Sequence, residues 1–515
     1  MGPQTSFPLA LGALLAGSPA QDAAFVEATV RRLQVDHDVP GVAVAVVRNG
    51  EVLCATGLGV RNARTGDAVT AGTRFPLGSV SKSFTSLAIL RLVEAGKLDL
   101  DRPVLRDLED LDLSPRPFAE RLALRHLLSH TSGLPALPEW PLATREAIVR
   151  RLAEVPLEST PGSSWAYCNQ NFLLAAYAVE RTLGRGWEDL VRAEVFEPLE
   201  LGTAGVGHDA LRRSPDFASP HRLDAREGMV PIEFESHLDP WGPSGTLHAS
   251  ASDMGRYLQF QAGTGILGGR RILSEARFEE MHRPQTSVAV TPRGRERSRE
   301  MLVSDMGYAL GWYTEEYRGL RLVEHEGTLD GFTAGVTLVP SAGFGVALLT
   351  NADHAQPFLR AARLLLLERL LGLEPDPGLE DRINARAGFD PKAQRERLAA
   401  VRAYRVDPAR LESLVGRYEP PAPGEPEISV RRQGEQIFLT VGGRFTFEIV
   451  PYGEGKFLTN GPPLGVRPLS FEFDAAGTVT LVGGEQVLGR KRARSRKGSR
   501  PAERRATHVG RSGGT

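Results

Sequence analysis

The chain has 515 residues, 41% hydrophobic and 24% charged, a net charge of −1 and only two cysteines, Cys54 and Cys168. That composition gives two or three globular domains with ample core, and it excludes a mainly disordered chain, a disulfide-stapled scaffold and a cysteine-rich metal site. The balance hides an asymmetry, because residues 489–515 carry ten Lys or Arg against one Glu, and their net of +9 leaves −10 for the first 488.

Residues 7–17 form a short apolar run followed by Ser18-Pro19-Ala20, small residues that suit signal peptidase, although the first six residues carry no positive charge. Residues 1–21 are therefore read as a signal peptide, with export to the periplasm or medium as the expectation and a cytoplasmic protein as the alternative. No other run is long and apolar enough to span a bilayer. From Ala23 to Val39, Phe25, Val26, Val30 and Leu33 share a helical face, and the β-rich runs on either side of Asn49-Gly50 predict a hairpin.

The stretch Pro76-Leu-Gly-Ser-Val-Ser-Lys-Ser-Phe-Thr-Ser86 opens a segment that is apolar on nearly every side up to Gly96, which predicts a buried helix with a glycine stop. Ser79 and Lys82 lie three apart and so share a face of that helix. A serine is a weak nucleophile without a base, and lysine serves as one only when burial lowers its pKa from about 10.4. Read alone, the pair is equally an ordinary first-turn serine with a lysine reaching outward. Only six lysines occur in the chain, and 56 of its 62 basic residues are arginine, which cannot act as a base. A lysine on this apolar helix is therefore suggestive.

Residues 100–160 read as helical with many breaks. His126 and His130 have the spacing of a zinc pair, but the Glu of H-E-x-x-H is missing, which favours capping or packing. After Pro161-Gly162, Tyr167 and Asn169 occupy a loop that runs into an apolar helix. Gly263-Thr-Gly-Ile-Leu-Gly268 follows a helix instead of a strand and is read as a turn. Strands are expected at 308–314, 320–325, 332–339 and 344–350, with Gly327 and Gly331 where backbone approaches closely, and a helix at 357–371. Helices in the middle with strands at both ends imply an α+β fold: one mixed, mainly antiparallel sheet assembled from both ends, flanked by helices and a helical subdomain. Residues 373–410 read as a linker with a short helix at 391–402, residues 411–488 as a small antiparallel β-barrel, and 489–515 as a basic disordered tail. The tail has no interleaved aromatics, so no nucleic-acid partner is expected.

Ser79-Val-Ser-Lys82, Tyr167-Cys-Asn169 and His325-Glu-Gly327, in that order, with His130-Thr-Ser-Gly-Leu-Pro135 and Pro243-Ser-Gly-Thr-Leu247, resemble the serine β-lactamase and penicillin-binding protein superfamily. The likeness is to its class C β-lactamase, D-aminopeptidase and carboxylesterase branch, over residues 22–372. The segment after 411 resembles the lipocalin-like barrel attached to some of these hydrolases. The resemblance implies a Ser79 acyl-enzyme, with Lys82 and Tyr167 sharing its proton. It also implies that Asn169 holds Lys82 and a substrate amide, that His325 supports Tyr167, and that the backbone N–H groups of Ser79 and Thr328, beside Gly327, form an oxyanion hole. No metal or cofactor is implied. The expected partner is a small-molecule or peptide-like substrate, an ester or amide, and oligomerisation is left open. Antibiotic-degrading members carry a lysine and a hydroxyl residue where His325 and Glu326 stand, so feeble β-lactam hydrolysis is expected. A Glu326 facing the pocket would repel a carboxylate, and one facing outward would be a surface charge. A non-turnover penicillin-binding-like sensor is the alternative function.

Overall fold

The structure is a computed structural model that describes residues 18–491 apart from 463–464, 476–477 and 485. Most of the expected signal peptide and the tail beyond Lys491 therefore lie outside the described residues. The chain divides after Glu396 into two compact units.

In the first unit, helix α1 (Pro19–Asp36) precedes strands β1 (Gly41–Arg48) and β2 (Glu51–Gly59). Ser18, expected beside a cleavage site, caps α1 in a reciprocal box with Gln21, so residues 18–21 build the first turn of the helix. The buried helix α2 (Ser81–Glu94) follows, then α3 (Gln170–Leu183) and α4 (Ala251–Gln261). Six further strands come next: β3 (Thr286–Ser287), β4 (Ser304–Tyr308), β5 (Tyr313–Tyr317), β6 (Leu320–Leu329), β7 (Phe332–Val339) and β8 (Phe344–Thr350), followed by helix α5 (Gln356–Leu370). The sheet order is β3-β4-β5-β6-β7-β8-β1-β2, so the two ends of the segment meet where β8 pairs with β1. Every pair in this sheet is antiparallel.

Strand β1, Gly-Val-Ala-Val-Ala-Val-Val-Arg, reads as a continuous apolar run because both of its faces are covered. Val42, Val44 and Val46 pack in a core with α1 and α5, while Ala43, Ala45 and Val47 join the core of α2, α3 and α4 on the other face. Asn49 and Gly50 both have positive φ, which matches the right-handed twist of the hairpin they close. Helix α2 stops where expected: Gly96 is left-handed and Lys97 N–H returns to the Leu92 carbonyl.

The structure departs from the sequence expectation at 308–314, read there as one strand. Tyr308 ends β4 and Tyr313 begins β5, with Ala309, Leu310, Gly311 and Trp312 in a buried turn between them. Gly311 has φ +79° and packs so closely on α2 that a Cβ there would stand 2.8 Å from the Lys82 carbonyl oxygen. The turn is apolar because it enters the core, which is why it imitates a strand.

Much of 373–410, read as a linker, is helical: α6 (Leu379–Arg386) and α7 (Pro391–Ala403) occupy it, and Leu379 and Ile383 are buried in the core of α1 and α5. In the second unit, α8 (Pro408–Leu414) leads into eight sequential antiparallel strands: β9 (Gly416–Tyr418), β10 (Ile428–Gln433), β11 (Gln436–Val441), β12 (Phe445–Gly453), β13 (Lys456–Asn460), β14 (Pro468–Phe473), β15 (Val479–Gly483) and β16 (Gln486–Lys491). Two 2.9 Å hydrogen bonds between Glu419 and Arg490 bring the edges together into a nearly closed barrel. Gly489, Arg490 and Lys491, placed in the tail by their charge, thus belong to the closing strand. Tyr418, Leu439, Phe447, Phe457, Phe471 and Leu481 fill the interior with Leu411 and Leu414 of α8. No described helix is long and apolar enough to cross a membrane.

Candidate active site

A short 3-10 turn, Gly78–Val80, starts α2 and carries the half-buried Ser79. Lys82, one turn on, is fully buried; its Nζ lies 2.9 Å from Ser79 Oγ and donates to the Ser244 carbonyl at 2.8 Å. The same face of α2 is riveted to that segment by Thr85 Oγ1, which donates to the Pro243 carbonyl, and by Ser81 Oγ, which accepts from Leu247 N–H. Pro243-Ser-Gly-Thr-Leu247 is therefore the strut that aims the lysine. Burial pushes the Lys82 ammonium down to about 7, and the negative charge of the Glu139 carboxylate partly opposes the shift. Near neutral pH a substantial fraction of the amine is unprotonated. A carbonyl only accepts, so the neutral amine gives a hydrogen to Ser244 and can turn its lone pair to Ser79.

The Tyr167 ring covers this amine, its centroid 4.9 Å from Nζ, with Phe172 at 5.6 Å. His130 seats the tyrosine loop. It adopts φ +57°, its carbonyl accepts from Ala166 N–H, its Nδ1 accepts from Cys168 N–H at 3.2 Å, and its ring lies 4.3 Å from that of Tyr167. His126 Nδ1 accepts from Ala123 N–H at the start of its own short helix. The two histidines thus take capping and packing roles.

The backbone donors meet at a glycine-on-glycine contact. A Cβ at Gly327 would stand 2.0 Å from the Leu77 carbonyl oxygen and 2.8 Å from Ser79 N, and one at Gly78 would stand 2.7 Å from Thr328 N. Ser79 N–H belongs to a first helical turn and has no acceptor one turn back. The Asp330-Gly331 turn sets Leu329 opposite Phe332, and pairs alternate from there, so Thr328 N–H points away from β7. Strand β5 begins opposite Glu324 and runs away from Thr328, so it does not cover that edge of β6.

Three expectations change in detail. Asn169 makes its hydrogen bond to Glu139 Oε1, at 2.5 Å from Nδ2, and none to Lys82. His325 is buried on β6 with its ring 6.3 Å from that of Tyr167, and it bonds to Tyr308 OH through Nε2 at 3.1 Å. Its Nδ1 faces the Glu326 carbonyl at 2.7 Å and must donate there, which makes Nε2 the acceptor in the neutral ring. Glu326 faces neither cleft nor solvent: it pairs with Arg360 of α5 at 3.3 Å on the far side of the sheet. Adjacent strand residues point to opposite faces, so His325 on one side forces Glu326 to the other.

Tyr308, Tyr313, Trp165 and Glu139 complete the surroundings and were not singled out in the sequence. Tyr313 stacks parallel to Tyr167 at 6.4 Å, and Trp165 lies 6.5 Å from it. The tyrosines flank the turn misread as a strand, and Glu139 lies in a proline-rich loop four residues past Pro135.

A serine hydroxyl against a buried lysine amine, on the first turn of a helix beneath an antiparallel sheet, defines a Ser-x-x-Lys site on an α+β scaffold. The Beta-lactamase family profile matches residues 26–370, and the chain belongs to that family. It is 28% identical over 349 residues to penicillin-binding protein 4 of Amycolatopsis lactamdurans, covering 66% of this chain and 88% of the relative. It is 27% identical to the unguisins hydrolase ungD' of Aspergillus campestris, covering 69% and 66%. For protein flp of Staphylococcus aureus the figures are 23% identity, 62% and 62%. In fold it matches the octameric penicillin-binding protein homologue from Pyrococcus abyssi, with TM-score 0.58, 24% identity and coverage of 91% of this chain and all of that one. SurE matches with TM-score 0.59 at 21% identity, over 92% of this chain and all of that one.

Proposed function

We propose that this chain is a serine hydrolase acting through a Ser79 acyl-enzyme on an ester or a peptide-like amide. The observation that carries the reading is the fully buried Lys82 amine, lowered to about 7 and 2.9 Å from Ser79 Oγ. In the first step Ser79 Oγ bonds to the substrate carbonyl carbon while its proton passes to the neutral Lys82. The carbonyl oxygen takes the negative charge and is held by Ser79 N–H and Thr328 N–H, each worth about 3 kcal/mol in comparable sites. Tyr167, whose phenolate form the Lys82 ammonium stabilises, relays a proton to the leaving alcohol or amine as the carbonyl–heteroatom bond breaks. Water repeats the sequence on the acyl-enzyme and frees the acid. Because Glu326 is engaged with Arg360, it does not repel an anionic substrate, and the expectation of weak β-lactam turnover rests on an imidazole, held by Tyr308 and the Glu326 carbonyl, standing where a lysine would grip a carboxylate.

A fluorophosphonate or fluorescent penicillin probe, with Ser79→Ala as control, tests the reading together with a p-nitrophenyl ester panel. Serine-dependent labelling with turnover is the expected result. Labelling without turnover assigns the chain to the sensor class, and no labelling removes both. His130→Ala is expected to lower stability by about 1–3 kcal/mol, because the buried Cys168 N–H loses its acceptor. It should also lower kcat more than it raises KM, since Tyr167 loses its seat; equal kcat in the variant would detach the histidine from the reaction.

A further inference from the structure

The rim beside Lys82 is built from acceptors. A carboxylate cannot donate, so the amide nitrogen of Asn169 must be the atom facing Glu139 Oε1, and that hydrogen bond takes one of its two hydrogens. Asn169 Oδ1 is left buried without a hydrogen bond, and Glu139, exposed at the rim, keeps Oε2. An orphaned buried carbonyl and a carboxylate, on two side chains joined by a hydrogen bond, call for a ligand group that donates several hydrogens and carries positive charge.

Resting on the serine-hydrolase reading above, we propose that Glu139 and Asn169 Oδ1 form a subsite for a protonated amine on the substrate, close to the scissile carbonyl. Glu139 is then a specificity residue, and the preferred substrates carry a free amine that N-acylation would destroy.

The charges around Lys82 give the subsite a second consequence. The groups facing its amine are Ser79, the Tyr167 and Phe172 rings, the Cys168 thiol and the Glu139 carboxylate, with His130 packed behind Tyr167. Of these, Glu139 raises the lysine pKa most and Cys168 adds to it. A substrate ammonium seated against Glu139 offsets that charge and shifts Lys82 towards its neutral, base-competent form. Binding the right substrate therefore switches on the base that attacks it.

The test compares aminoacyl p-nitroanilides and p-nitrophenyl esters with their N-acetylated analogues, in wild type and Glu139→Gln. Wild type should favour the free amines. The substitution should cut that preference at least tenfold, chiefly through KM, and move the acid limb of kcat/KM for the N-acetylated substrates to lower pH. An unchanged free-amine preference with an unchanged acid limb overturns the proposal. Thermal unfolding of the variant and probe labelling of Ser79 are run alongside. If wild type labels and turns over while Glu139→Gln changes nothing, only the amine subsite falls; if wild-type Ser79 never labels, the hydrolase reading falls first.

Discussion

Lys82→Met is expected to cut turnover and to stabilise the protein at neutral and acidic pH. Burial depresses the folded-state pKa of this base to about 7 while the unfolded chain keeps an ordinary lysine. Between those values the unfolded state binds more protons, so the lysine's unfavourable contribution is full below pH 7 and fades as pH rises towards about 10.4. At about 1.4 kcal/mol per pKa unit the penalty approaches ~5 kcal/mol. Methionine removes it, while the Ser244 carbonyl left without a donor costs about 1–3 kcal/mol in return. A net gain of roughly 2–4 kcal/mol at pH 6 should therefore appear as a higher unfolding midpoint, shrinking by more than half at pH 9. Loss of activity follows because the serine has no base, and removing the group that takes its proton should lower kcat by about 10²–10⁴-fold. A midpoint that drops at pH 6 would show that the site imposes no desolvation penalty, and the near-neutral lysine on which the mechanism rests would go with it.

Gly327→Ala should rank with it in effect on activity. The added methyl would stand 2.0 Å from the Leu77 carbonyl oxygen, a backbone atom that cannot rotate away, so β6 and the Gly78–Val80 turn must separate. Overpacking of this kind costs about 1–3 kcal/mol in stability. The heavier loss is catalytic: Ser79 N–H and Thr328 N–H cease to converge, and losing one such donor already costs about 10²–10³ in kcat. The expected signature is a folded protein, by circular dichroism, that still binds substrate but turns it over at least a hundredfold more slowly. Wild-type kcat in this variant would remove the two amides from the mechanism.

The order of elements, the two-ended sheet and the barrel followed from periodicity and turn residues, because those signals are local. Ser79, Lys82 and Tyr167 were legible for a related reason: the pair is one helical turn apart, and the tyrosine sits in a recognisable loop. Glu139, Tyr308 and the Ser244 carbonyl were not, since each reaches the site from tens to more than a hundred residues away and no short spacing announces it. The Ala309–Trp312 turn misled for the opposite reason, as burial made a turn look like a strand. Glu326 was decidable in principle: once His325 is placed on the cleft side of a strand, pleating sends its neighbour to the other face.

By itself, then, the sequence determined which side chains could be a nucleophile and its base, since a Ser-x-x-Lys spacing at a helix start is a property of the helix alone. Only the tertiary structure decided that the lysine is fully buried with its amine against Ser79 Oγ, that Asn169 bonds to Glu139, and that Glu326 belongs to the far side of the sheet. Those outcomes depend on desolvation and on partners brought together by packing, and neither is written into any stretch short enough to read along the chain.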